Sequence, residues 1–150
     1  MDDAFAWPDA AHAVRVTLRL LLAAVLGGAI GMEREITGKA AGLRTHMLVG
    51  MAAAAFALIT LHLVATFEHG PQVIRLDPIR LVEACTAGVA FLAAGMIVLS
   101  RGKVRNLTTG AGMWLAASIG LAAGLGLWPI AAIAALLGFL ILGLLGRLMS

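Results

Sequence analysis

Side chains that could do chemistry gather in one stretch, Gly27 to His46, which reads GGAIGMEREITGKAAGLRTH. Glu33, Arg34 and Glu35 are followed by Lys39, Gly42, Arg44, Thr45 and His46, so five formal charges fall within twelve residues. Carboxylates beside guanidinium groups make strong charge-assisted hydrogen bonds, and the chemistry they suit is a paired ionic network. A second polar group, Arg101, Lys103, Arg105, Asn106, Thr108 and Thr109, could complete such a network from another loop. The plainer reading of both groups is a pair of solvated basic loops. Thr45, Thr108 and Thr109 also suit helix starts, where their hydroxyls would accept free backbone N–H groups. Asp77, Arg80 and Glu83 form a third group. The spacing of Arg80 and Glu83 puts them on one helix face as an ion pair, while Glu83 and Asp77 are weak candidates for a metal site. Mg²⁺ keeps several waters and needs only one or two carboxylates. His12, His46, His62 and His69 show no metal-ligand spacing. Gly27-Gly28-x-x-Gly31 follows an apolar helix and not a strand, so it is no dinucleotide fingerprint. With no nucleophile–base pairing, the expectation is a protein that is not an enzyme and holds no cofactor.

The elements that position these groups follow from composition. Of 150 residues 61% are hydrophobic and 13% charged, and mean hydropathy is +0.99. A soluble domain is about half apolar and a quarter charged, and a small domain leaves much of its surface in water. The chain therefore reads as an all-α polytopic membrane bundle, with the lipid bilayer as its first partner. The net charge of +3 belongs to topology and anionic headgroups, not to nucleic acid. Cys85 is the single cysteine and lies in an apolar run, which predicts a buried, inert thiol. The acidic start (Asp2, Asp3, Asp9) does not read as a signal peptide.

Five apolar runs predict helices over about 14–32, 47–67, 79–99, 108–126 and 129–145, between an outer segment 1–13 and an inner tail 147–150. The first has a continuous apolar core of only about 13 residues, roughly 20 Å of helix, which is short for a span, and a re-entrant segment is its second reading. Placing the 34–44 loop, the 101–105 loop and the C-terminus on one side gives that side seven Lys/Arg against four. That side is the cytoplasm, and the N-terminus lies outside. Small residues recur at helix-contact spacing: Gly27 and Gly31, then Ala84, Gly88 and Gly95, then Gly112, Ala116, Gly120 and Gly124. In lipid such stripes let backbones approach closely. Packing within the bundle is the plain reading, and a homodimer face on the fourth helix is the sharper one.

The stretch GGAIGMEREITGKAAGLRTHMLVG closely resembles the signature of the MgtC/SapB family of bacterial membrane proteins. The resemblance continues at Asp77-Pro78-x-Arg80, at AFLAAGMI (Ala90 to Ile97) and at NLTTGAGMWLAASIGLAAGLG (Asn106 to Gly126). Three departures stand out. Alanine replaces two glycines of the usual G-F-L-G-A-G, Asn106 replaces the glycine of G-L-T-T-A, and Glu83 is charged where an uncharged residue is usual. The resemblance implies a multi-pass bacterial inner-membrane protein, linked to magnesium limitation, virulence and stress adaptation. It implies an accessory or regulatory role exerted on another membrane protein, such as the F-type ATP synthase. Many members carry a C-terminal cytoplasmic domain, and the resemblance here covers the membrane module. On this reading Glu33, Arg34, Glu35, Gly42, Arg44, Thr45, Arg80, Arg105, Thr108 and Thr109 are the signature positions. The alternative reading is a transporter or channel for Mg²⁺ or another small solute, which requires a polar path through the bundle.

Overall fold

A computed structural model describes residues 9–68, 77, 79–100 and 103–145. Its helices are α1 (Ala10–Ile36), α2 (Leu43–Glu68), α3 (Ile79–Met96), α4 (Leu107–Leu125) and α5 (Trp128–Leu140), the last continuing as a π turn, Ile141–Leu145. Four of them are long and apolar enough to cross a membrane, and Trp128–Leu144 is a shorter apolar helix, roughly 25 Å long at 1.5 Å per residue.

The all-α expectation holds, with corrections at the helix ends. The first helix is no short segment. It spans 27 residues, roughly 40 Å, because Asp9 caps it by accepting the His12 N–H at 2.6 Å and the polar ends at Arg15, Arg19 and Glu33–Glu35 stay helical. Residues 10–13, expected outside the helix, are its first turn. The third helix ends at Met96, not at 99, because Val98–Ser100 pairs antiparallel with Lys103–Arg105 in a short hairpin. β-Branched Val98 and Val104 favour that pairing. The loop between α2 and α3, with Pro78, lies outside the described residues apart from Asp77.

Asn106 closes the hairpin at φ +65°, in the left-handed region that glycine adopts freely and asparagine tolerates. This is the position where the resemblance expects glycine. The Asn106 side chain also donates Nδ2–H to the Met96 carbonyl at 3.0 Å, satisfying an end carbonyl of α3.

Side-chain size sets the packing. α1, α2 and α4 form a tight centre. Gly27 lies against the His46 carbonyl and Gly50, and Gly31 against Gly42 and His46, so α1 and α2 run antiparallel. Gly112 faces His46, Gly120 lies on the backbone of Gly50, and Gly124 lies on Ala54 and Ala57, so α2 and α4 run parallel. The stripe on α4 is thus covered within the chain: Ala116 is 0% exposed and Gly112, Gly120 and Gly124 are buried. The homodimer face expected there is not available. Gly88 and Gly95, also expected in packing, have nothing near the position a Cβ would take. They lie on the outer face of α3, which touches α4 through Val89 and Ala93. α5 covers another side of α4, with Gly138 on Leu115 and Ile30.

Candidate functional site

These directions bring the 37–42 loop, the hairpin and the C-terminal end of α5 to one end of the bundle, and the signature residues gather there. Glu35 is the first to find a partner. Its Oε2 accepts the Leu43 N–H at 2.9 Å, satisfying a free donor in the first turn of α2 with a carboxylate that the helix dipole favours. Gly42 is what permits this contact, since a methyl group there would overlap the Glu35 carboxylate. The E-R-E and A-G-L-R-T pieces are therefore one device, a helix cap reached across a tight loop. The expected threonine caps are not used. Glu35 caps α2, and Asn106, the residue at the start of α4, makes no side-chain capping bond. Thr109 is instead buried, while Thr108 and Arg105 are exposed.

Glu33 and Arg34 pair with each other through Arg34 Nε. Arg34 is only 4% exposed, so its partner offsets the cost of burying a cation. Of the network expected between the two loops, Glu33 and Glu35 find their partners at the α1–α2 junction, in Arg34 and the Leu43 N–H, and not in Arg105; Arg101, also expected there, lies outside the described residues. Lys39, Arg44 and Thr45 instead line an open cleft of about 500 Å³ with Glu35, Gly38, Ala40 and Gly42.

His46 stands within the charged stretch, but sequence reasoning assigned it no role of its own. Its ring is 0% exposed, between α1 at Gly31 and α4 at Gly112. Nδ1 lies 2.9 Å from the Gly42 carbonyl. A carbonyl can only accept, so this contact places the ring proton on Nδ1. Nε2 then presents a lone pair, buried and without a hydrogen-bond partner. Leaving such a group unsatisfied costs about 1–3 kcal/mol. The available signal was spacing: Gly42, His46 and Gly50 recur every four residues and form the stripe that meets Gly27 and Gly31.

Asp77, Arg80 and Glu83 do not assemble a site. Asp77 caps α3, its Oδ1 accepting the Ile79 N–H at 2.9 Å. Arg80 and Glu83 are exposed on α3 and make no ion pair among the described residues. No three His, Cys, Asp or Glu side chains come together there either, so the weak metal candidates gain no partner ligands.

The MgtC family model matches residues 20–150. The chain belongs to the MgtC family. YhiD of Escherichia coli strain K12, named "Putative magnesium transporter YhiD", is 38% identical over 128 residues, covering 83% of this chain and 58% of its own length. SapB of Bacillus subtilis is 35% identical, covering 75% of this chain and 49% of its own length. MgtC of Brucella abortus strain 2308 is also 35% identical, covering 85% of this chain and 49% of its own length. The chain thus spans between about half and three-fifths of the length of these relatives. No solved structure matches it. Family membership and the long apolar helices make it a multi-pass membrane protein.

Proposed function

We propose that this member of the MgtC family is an accessory or regulatory protein of the bacterial inner membrane, without catalytic activity of its own. It would act through contacts with another membrane protein during adaptation to magnesium limitation or host-imposed stress. The observation that carries this reading is the closed centre of the bundle. Between the Arg34–His46 end and Arg19 at the other, the core is Ala23, Ile30, Ala54, Ile119, Ala123 and Ala131, and backbones of α2 and α4 are in direct contact at Gly50 and Gly120. Nothing among the described residues lines a polar path there, which argues against a conduit in the single chain. The F-type ATP synthase is the partner to test first, with inverted vesicles prepared with and without the protein. Changed ATP hydrolysis or proton pumping supports regulation, and identical rates in both sink it for this partner.

Magnesium transport is the second reading, favoured by the name of the YhiD relative. Flux of Mg²⁺ into liposomes containing the purified chain alone would establish it, and would displace the regulatory reading. Any contact with a second copy has to use a surface other than the buried stripe on α4. The Lys/Arg bias favours an external N-terminus and a cytoplasmic hairpin. A reporter fused after Ser150 that is active only outside the cytoplasm would reverse that orientation.

A further inference from the structure

Among the described residues, Nε2 of His46 is the one buried side-chain nitrogen or oxygen without a hydrogen-bond partner. The ring stands in the first turn of α2, and three helices close around it. On α1, a methyl group at Gly31 would come within 2.8 Å of the His46 Cβ. On α4, a methyl group at Gly112 would lie 3.1 Å from Nε2, with the Ile30 side chain of α1 at 3.8 Å from the same point. α2 itself begins beside the Gly42 carbonyl, which takes the Nδ1 proton. Glycine at these positions is what makes room for a ring, and the room is filled: the ring is 0% exposed.

The charged groups at this junction are few. α1 brings Glu33, Arg34 and Glu35, of which Glu33 is paired with Arg34 and Glu35 with the Leu43 N–H. α2 brings Arg44, exposed on the open cleft. α4 has no ionisable residue between Leu107 and Leu125. The charge that acts on the ring is the Arg34 cation. A further proton on this ring goes to Nε2, because Nδ1 already carries one. The ring then becomes a cation facing a cation, and its new N–H has no acceptor and no water. A buried charge without a partner either loses its proton or leaves the site.

We propose that the His46 junction is a proton-sensitive latch: α1, α2 and α4 close on the neutral ring, and the protonated ring leaves its place and loosens that contact. This rests on the packing of the junction alone and holds whether the chain regulates a partner or carries Mg²⁺. Histidine in water takes a proton near about pH 6.5. The opened state then binds one proton more than the closed one, so stability is level above about pH 6.5 and falls as the pH drops below it. One proton sets the steepest slope, about tenfold in the closing equilibrium per pH unit.

Unfolding of the whole chain in mixed detergent, followed from about pH 8 to about pH 5 beside His46→Asn, tests this. The asparagine amide can still donate to the Gly42 carbonyl but does not titrate. Glu33, Glu35, His12 and His62 are unchanged in that variant, so their protons cancel in the comparison. The wild-type unfolding constant, relative to the variant at the same pH, should be level above about pH 6.5 and rise by up to about tenfold per unit below it. His46→Leu is a second non-titrating reference, should the asparagine variant fail to fold. Nitrogen-15 spectra of labelled histidine should show His46 with a proton on Nδ1 and none on Nε2 at neutral pH. Hydrogen exchange of the amides from Met47 to Gly50 should match the variant at neutral pH and run faster than it in acid. The proposal is overturned if wild type and the variants share one pH profile, or if the ring carries two protons at neutral pH. It also fails if the ring gains its second proton in acid while exchange of those amides stays as slow as in the variant.

Discussion

On one side α4 meets α2 through Gly120 and Gly124, set directly against the backbone of Gly50 and Ala54. On another it meets α3 through Val89 and Ala93 near one end, and a crevice separates the two helices at the other. The first contact is built from small residues and the second mixes them with Val89 and Met113, and the difference shows what small residues do in lipid. Apolar burial does not drive helices together there, so stability comes from close van der Waals contact and satisfied polar groups. Where glycine faces glycine the backbones close up and leave nothing for lipid to fill. Where glycine faces outward, as Gly88 and Gly95 do, the same residue type has no packing role.

Substitutions should separate the two regions sharply. Gly120→Leu drives a side chain into the Gly50 backbone, which cannot give way, and should abolish the folded bundle, seen as loss of monodisperse protein in fluorescence-detected size exclusion. His46→Ala empties a buried site between α1 and α4 and should cost about 2–4 kcal/mol by thermal unfolding in detergent. His46→Leu should cost less, because it removes the unpartnered Nε2 along with the ring. A leucine variant less stable than the alanine variant would show that Nε2 has a partner in the membrane. Asn106→Ala should cost about 2 kcal/mol, combining left-handed strain with a lost hydrogen bond. Asn106→Gly keeps the backbone and should cost less. Gly42→Ala should displace the Glu35 carboxylate from the start of α2 and cost about 1–2 kcal/mol, as the loss of a helix cap does. Gly88→Leu should lie within about 0.5 kcal/mol of wild type. A large loss there would mean that α3 is covered, and the contrast between the two regions would fail.

Much of this was legible in the residues. Length of apolar run, basic loops and the ERE…AGLRTH signature implied a family-type helical bundle, and the Gly112–Gly124 stripe implied a close helix contact. Two features misled. The short apolar core from Leu20 to Met32 understated α1, because a helix continues through polar residues once its end is capped, as Asp9 does. The run to Leu99 overstated α3, because hairpin pairing competes with helix for the same β-branched residues.

Composition and periodicity by themselves determined that this chain lives in a membrane, how many helices it makes and which of their faces are narrow enough to touch. They act locally, through hydropathy and helical repeat, and need no knowledge of neighbours. Only the tertiary structure decided which stripe is buried and which is bare, that Glu35 caps α2 instead of bridging to Arg105, and that His46 stands at the junction of α1, α2 and α4. Those outcomes depend on which backbones lie within a few ångströms of each other across long stretches of sequence, and no local property of the chain encodes that distance.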